Sequence, residues 1–253
     1  MIIRSLYNVS RQMNVLQKKQ ENNAANTANA NTPGFKYQDL IQRSMQEYEV
    51  YNHAGGRDSN RTQLLGTINM GTEIDGAYTS FTQGALKETG LFTDLALNGQ
   101  GFFTVATENG ETGYTRNGHF RVSEDQRLVT EEGYPVLGVS GNGTPTEIFV
   151  MGDALSIDQS GYINGTGTRL MITTFPDNNT LEMRGENLYV SGAGNLDQGD
   201  TKVTQGYLES SNVDLMDEIV KMMEVSREFQ SNQRVLSVLN DTLQKTVNEI
   251  GRN

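Results

Sequence analysis

The sequence predicts an α+β fold, with an all-β antiparallel central domain flanked by N- and C-terminal helices that pair as a coiled coil. All four prolines and 26 of the 27 glycines fall between Pro33 and Gly206. The two ends therefore lack the residues that interrupt helices, whereas the middle is rich in the residues of tight turns. Both ends also repeat apolar residues at alternating spacings of four and three, the pattern of helices that wind around one another.

Residues 1–33 form the predicted N-terminal assembly helix. Its apolar seam, meaning the side chains at the four-three spacing, consists of Ile2, Leu6, Val9, Met13 and Leu16. Five asparagines between residues 22 and 31 weaken the helix prediction there, because asparagine is a poor helix former. Thr32-Pro33-Gly34 then predicts the end of the helix.

Residues 209–253 form the predicted C-terminal coiled-coil helix. Its apolar seam consists of Leu215, Ile219, Met222, Phe229, Leu236, Leu243, Val247 and Ile250. The polar residues Ser226, Gln233 and Asn240 interrupt this seam at intervals of seven, and we expect them to set the register between helices. A helix of about 40 residues needs a long partner. The alternative is an ordinary amphipathic helix that lies on its own domain.

Charge favours pairing of the two ends. Residues 1–31 carry a net charge of +3, whereas residues 209–253 carry five basic and eight acidic side chains, a net charge of −3. A basic helix attracts an acidic one, although solvated faces without a partner would show the same composition. The whole chain has a net charge of −11, so we expect no nucleic-acid partner.

The middle, residues 34–208, predicts a glycine-rich β domain. Short apolar runs such as 95–97, 101–106, 127–130 and 168–175 alternate with turn signals, among them Asn98-Gly99, Asn117-Gly118 and Asn164-Gly165. Asn-Gly between apolar runs indicates a β-hairpin. Residues 52–63, which contain Gly55-Gly56 and several polar side chains, are typical of a loop or linker.

The side chains that carry enzyme chemistry are scarce, and we expect no catalytic, cofactor or metal site. The chain has no cysteine, and its two histidines, His53 and His119, lack the spacing of a zinc site. Residues 158–169 begin like a calcium loop, but Arg169 occupies the position of the final glutamate. A Ser-His-Asp triad that uses His119 remains an open alternative.

No stretch of the sequence approaches the roughly 20 apolar residues of a membrane span. The first residues, from Met1 to Leu6, also lack the apolar run of about 7–15 residues found in a secretory signal. We therefore expect no membrane insertion and, if the protein is exported, no cleaved signal peptide.

Several motifs resemble those of the flagellar rod and hook proteins. They are NNAANTANANTPGFK at residues 22–36, DLALNGQGFF at 94–103, YTRNGHF at 114–120, LVT at 128–130, GYPVLG at 133–138 and QGYLESSNV at 205–213. They occur at both ends and in the middle, in the order that the family has. Within that family the chain is most similar to the distal or proximal rod subunits or to their Gram-positive paralogues.

The resemblance implies a structural subunit of the flagellar rod rather than an enzyme. Its partners would be copies of itself, other axial rod and hook subunits, and the flagellar type III export apparatus. The terminal helices would form an inner coiled-coil tube of a hollow filament in the basal body, which transmits torque from motor to hook. The competing hypothesis is a secreted enzyme or carbohydrate-binding module whose helices serve dimerisation; the absence of tryptophan argues against sugar stacking.

Overall fold

A computed structural model describes residues 2–54, 61–107, 110–150, 155–185, 187–191, 194–196 and 200–250 of the chain. Helices stand at the two ends, and strands occupy the middle. The elements are α1 (Ile2–Ala28), β1 (Gln38–Ser44), β2 (Glu47–Ala54), β3 (Arg61–Asn69), β4 (Thr72–Thr79), β5 (Leu86–Glu88), β6 (Leu95–Asn98), β7 (Phe102–Ala106), β8 (Thr112–Thr115), β9 (Arg121–Val122), β10 (Leu128–Val129), β11 (Leu137–Val139), β12 (Pro145–Glu147), β13 (Arg169–Leu170), β14 (Ile172–Thr174), a 3₁₀ turn (Asn178–Thr180), β15 (Glu182–Met183), β16 (Tyr189–Val190), β17 (Asn195–Leu196), β18 (Lys202–Gln205), β19 (Tyr207–Glu209) and α2 (Leu215–Ile250).

The chain divides into two compact units. The helical unit comprises Met1–Thr27, Gln38–Tyr78 and Leu215–Asn253, and the β unit comprises Ala28–Tyr37 and Thr79–Asp214. The sequence had placed all of 34–208 in one β domain. The structure instead groups the first four strands with the helices, because composition identifies a strand but not the element that it packs against.

In the helical unit, β1 pairs with β4, and β2 and β3 form a long antiparallel hairpin. The hairpin corrects the predicted linker at 52–63, since 52–54 and 61–63 belong to its strands; residues 55–60 lie outside the described residues. Glycine and polar side chains dominated that prediction. The strand-forming residues of the hairpin lie on either side of that segment, with Tyr48 opposite Ile68 and Tyr51 opposite Leu64.

The β unit contains an antiparallel six-stranded sheet in the order β15-β16-β8-β7-β14-β17, together with smaller antiparallel sheets. The predicted antiparallel β-structure is thus confirmed. The apolar positions of β6, β7, β10 and β14 meet in one core. Its buried residues include Leu95, Leu97, Phe103, Val105, Phe120, Leu128, Val136, Ile148, Leu170, Ile172 and Val203.

A second, aromatic cluster lies on another part of the same sheet. Phe102, Tyr114, Phe175 and Tyr189 are buried together, and their rings meet edge to face, with centroids 4.8 Å apart for Tyr114 and Phe175. Edge-to-face packing places the positive ring edge on the negative ring face, which stabilises such pairs beyond simple burial. Burial also raises the pKa of Tyr189 above its ordinary value.

Glu209, at the end of β19, is the centre of a buried charge cluster in the β unit. Its Oε1 lies 2.5 Å from the Lys36 ammonium, and its Oε2 lies 3.2 Å from Arg116 Nη1. All three side chains are at least 94% buried. The Gly84 amide donates a further hydrogen bond of 3.0 Å to Oε1. One carboxylate therefore compensates two buried cations.

Each of the two cations also donates a hydrogen bond to a backbone carbonyl. Lys36 Nζ donates to the Thr82 carbonyl at 2.8 Å, and Arg116 Nη2 donates to the Gly99 carbonyl at 2.8 Å. Burial lowers the pKa of Lys36 below its usual value, and Glu209 opposes that shift. The cluster is stable because hydrogen bonds replace most of the lost hydration.

The backbone near this cluster leaves no room for a side chain at Gly34. The Gly34 amide donates to the Glu209 carbonyl at 2.7 Å, and its φ of +70° lies in the left-handed region. A Cβ atom there would stand 2.4 Å from the Arg116 carbonyl carbon. The glycine that ends the predicted helix is therefore required by close backbone packing.

We expect Glu209→Gln to lower the free energy of unfolding of the β unit by about 3–5 kcal/mol, because it leaves two buried cations without a counter-charge. Urea unfolding followed by the near-ultraviolet circular dichroism of the buried tyrosines measures the change. Asp125→Asn, which breaks an exposed pair with Arg127, is the control and should cost about 1 kcal/mol or less. Equal stability of the two variants would contradict this account.

Candidate assembly interface

In the helical unit, α1 lies against the strands that follow it. Arg4 donates to the Asn69 carbonyl at 3.3 Å, and the Thr72 hydroxyl donates to Gln12 at 2.7 Å. Further along, the Asn22 and Asn26 amides donate to the Gln38 carbonyl at 2.8 and 2.7 Å. These contacts follow the helix along most of its length and fix it to β1, β3 and β4.

The N-terminal seam is therefore only partly available to a neighbouring molecule. Leu16 is 1% exposed and is already buried within the single chain, whereas Leu6, Val9 and Met13 are half-buried. The side chain of Ile2 lies outside the described residues. Val15 is also buried, although it does not belong to the seam. The four-three spacing of apolar residues did not predict its burial.

Asparagines that weakened the helix prediction turn out to hold α1 in place. Asn26 is 1% exposed, and its side chain both donates to the Gln38 carbonyl and accepts a 3.2 Å hydrogen bond from the Gln38 amide. The amide side chain thus bonds both backbone groups of one residue, as a neighbouring β-strand does. Propensity scales could not find it, because they record local preference and not a tertiary partner.

Asn26 also joins the two helices where α1 ends and α2 begins. Its amide nitrogen lies 3.1 Å from Glu218 Oε2, and the other oxygen of Glu218 accepts from Lys221 at 2.8 Å. Asn26 and Glu218 are both 1% exposed. A buried carboxylate in the first turn of a helix is favoured by the helix dipole. This contact brings the ends of the two predicted assembly helices together.

The rest of α2 is without a covering layer in the described part of the chain. Glu218 is the only one of its described side chains that is buried. Leu215, Ile219 and Val247 are exposed, and Met222, Phe229, Leu236 and Leu243 are half-buried. The side chain of Ile250 lies outside the described residues. The seam extends over a helix of 36 residues, about 54 Å, and each of its described side chains keeps part of its surface exposed.

The three proposed register residues follow the same seam. Ser226 is half-buried, whereas Gln233 and Asn240 are exposed. The coiled-coil pairing in which they would set the register remains a prediction. α2 itself begins at Leu215, so its start lies a few residues inside the predicted C-terminal block.

A second apolar line on α2 was missed in the sequence. Met216, Val220 and Met223 follow one another at spacings of four and three, and they are 71%, 48% and 47% exposed. Together with Leu215 and Ile219 they make the first turns of α2 apolar over more than one face. A helix that is apolar on several sides is buried by more than one neighbour.

The histidine of the candidate triad, His119, lies beside a buried aspartate. His119 Nδ1 lies 2.8 Å from the buried Asp94 carboxylate, and the backbones of these residues also form a β-bridge. Among the described side chains, no three His, Cys, Asp or Glu residues are grouped as metal ligands. None of the described helices is both long enough and apolar enough to cross a membrane.

The sequence is similar to flagellar proteins along almost its whole length. The family profile of the flagellar hook protein FlgE/F/G D1 domain matches residues 96–168, in the β unit. The profile of the flagellar basal body rod FlgEFG protein C-terminal region matches residues 204–249, from β18 through most of α2.

Individual relatives agree with these profiles. The flagellar basal-body rod protein FlgG of Bacillus subtilis is 33% identical, and the similarity covers 98% of this chain and 99% of the relative. FlgF of Caulobacter vibrioides is 33% identical over 96% of each chain. FlgG of Borreliella burgdorferi is 29% identical over 96% of this chain and 97% of the relative.

We expect Asn26→Ala to release the end of α1, since it removes hydrogen bonds to both backbone groups of Gln38 and to Glu218. Loss of buried hydrogen-bond partners should destabilise this region by about 2–4 kcal/mol. Amide hydrogen exchange at Gln38 and in the last turns of α1 measures it. Asn31→Ala, at an exposed position, should leave exchange unchanged; unchanged exchange in Asn26→Ala would contradict the role of this side chain.

Proposed function

Because the chain belongs to the family of flagellar basal-body rod proteins, we propose that its terminal helices pack with those of neighbouring copies as coiled coils and so build the rod. It is a structural subunit of the bacterial flagellar rod. The observation that carries the proposed mode of assembly is the apolar seam of α2, whose described side chains are all exposed or half-buried in the single chain.

The seam is too large to remain in water. Burial of eight apolar side chains contributes roughly 12–24 kcal/mol before the entropy of ordering is subtracted. The seam has the four-three spacing that suits a helical partner, and its polar interruptions would disfavour a shifted register. Neighbouring copies carry the same seam, and thus supply partners of matching length and chemistry.

The same surface supports growth of a filament. An interface can join one patch of a subunit to a different patch of the next identical subunit. Such an interface repeats as an open helical filament when the rotation between subunits does not close a ring. The apolar first turns of α2 face in more than one direction, which suits a subunit with several neighbours. The helices would then line a hollow axial tube that transmits torque from motor to hook, with other axial rod and hook subunits at its ends.

Assembly outside the cytoplasm requires export. We infer that the flagellar type III export apparatus carries the subunit to the basal body without cleavage of a signal peptide. The similarity of the chain to flagellar basal-body rod proteins along almost its whole length supports this proposal.

We expect Leu236→Asp combined with Leu243→Asp to prevent rod assembly and swimming, because charges in the seam would have to be buried between helices. The β unit should stay folded, with unchanged near-ultraviolet circular dichroism. Basal bodies viewed by electron microscopy should lack a complete rod.

The matched control is Ser231→Asp combined with Asn248→Asp, which adds the same charge at exposed positions outside the seam. This control should swim normally. Normal swimming of the Leu236 and Leu243 variant, with the protein present in the basal body, would refute the proposal.

A further inference from the structure

We propose that a basic groove beside α1 receives the acidic first four turns of α2 from a second copy of the chain. This inference rests on the proposed function, since it names the partner of one helical surface within the same assembly. The groove lies in the helical unit between α1 and β4. Its lining includes Tyr7, Arg11, Asn14, Lys18, Thr72 and Ile74, and it encloses about 500 Å³.

The groove is a fixed surface of positive charge. Arg11 and Lys18 stand seven residues apart on one face of α1, in line with Arg4. Arg11 Nη2 donates to the Tyr7 hydroxyl at 2.6 Å, and its guanidinium carbon lies 4.8 Å from the centre of the Tyr7 ring. This stacking holds the cation in place before any partner arrives.

The groove also contains Glu73, which shares the cation of Arg43 with Asp75. Arg43 reaches Glu73 at 3.0 Å and Asp75 at 2.9 Å. In contrast, none of the ion pairs among the described residues involves Arg11 or Lys18. Arg43, Glu73 and Asp75 together leave one negative charge, against the two positive charges of Arg11 and Lys18, so the groove keeps a net positive charge.

The complementary charge is concentrated in one part of the chain. Residues 1–19 carry four basic and no acidic side chains, a net charge of +4. Residues 214–228 carry five acidic and two basic side chains, a net charge of −3, whereas residues 229–250 are neutral overall. The acidic block coincides with the turns of α2 whose apolar residues Met216, Val220 and Met223 are exposed.

Within one chain these two blocks do not pair. Glu224 and Glu228 are exposed, one turn apart, and neither enters an ion pair with α1 in the described part of the chain. The described link between the helices is the bond from Asn26 to Glu218, at the far end of α1 from Arg4. A second copy can bring its acidic turns onto Arg11 and Lys18, with Val220 against Tyr7.

Charge exchange tests the proposal in a flagellated host that lacks the native subunit. One variant carries Arg11→Glu and Lys18→Glu, and the other carries Glu224→Lys and Glu228→Lys. Each alone should fail to swim and should give incomplete rods, since like charges then face each other. Co-expression of the two variants should restore rods, because the reversed groove of one copy accepts the reversed helix of the other.

Controls separate assembly from folding and export. Circular dichroism of each purified variant should match the parent chain, and secreted variant protein should appear in the medium. Lys87→Glu combined with Lys202→Glu, at exposed positions outside the groove, should swim normally.

Rescue within a single chain that carries all four substitutions, without rescue by co-expression, would place the pairing inside one chain and overturn the proposal. Normal swimming of each charge variant would also overturn it. If, in the same host, the Leu236 and Leu243 variant still forms no rod, the proposed rod function stands and only the groove assignment falls.

Discussion

The buried ion pairs of the Glu209 carboxylate are the interactions on which the arrangement of the chain within the β unit most depends. The carboxylate compensates Lys36 and Arg116 at once, in a region where an uncompensated ion would cost several kcal/mol. Lys36 lies eight residues after α1 ends, and Glu209 lies six residues before α2 begins. The cluster therefore ties together, within the β unit, the two segments that lead to the terminal helices. Hydrogen bonds from Gly34 and Gly84 reinforce the same connection.

The two units differ in what stabilises them. The β unit has its own apolar core, an aromatic cluster and a buried ion-pair cluster, all of which form within a single chain. In the helical unit, by contrast, α2 contributes one buried side chain among those described, and that side chain is a carboxylate. In the proposed assembly, neighbouring copies would supply most of the stabilisation of α2. A subunit of this kind gains order on assembly, because binding partners stabilise only the ordered state.

Polar residues in the terminal segments form tertiary contacts that their helix propensities do not predict. Asn22 and Asn26 disfavour a helix by themselves, yet they bind the backbone of Gln38 and fix the course of the chain after α1. Arg11 is oriented by Tyr7, and Glu218 is buried beside Asn26. In the proposed assembly, the apolar seams would provide affinity and the placed charges would determine the orientation of the neighbour.

The sequence alone determined the two terminal helices, the antiparallel middle and the seam of α2, because helix and strand periodicities and turn residues are local properties. It also identified the family through motifs at both ends. Tertiary structure decided what those patterns do not encode. It placed Gln38–Tyr78 in the same compact unit as the helices, and it paired 52–54 with 61–63 as strands. It also buried Leu16 and left Leu215 exposed. It also decided that Lys36, Arg116 and Glu209 share one site. Each of these depends on contacts between residues far apart in the chain, and the period of a pattern shows which face is apolar but not which surface covers it.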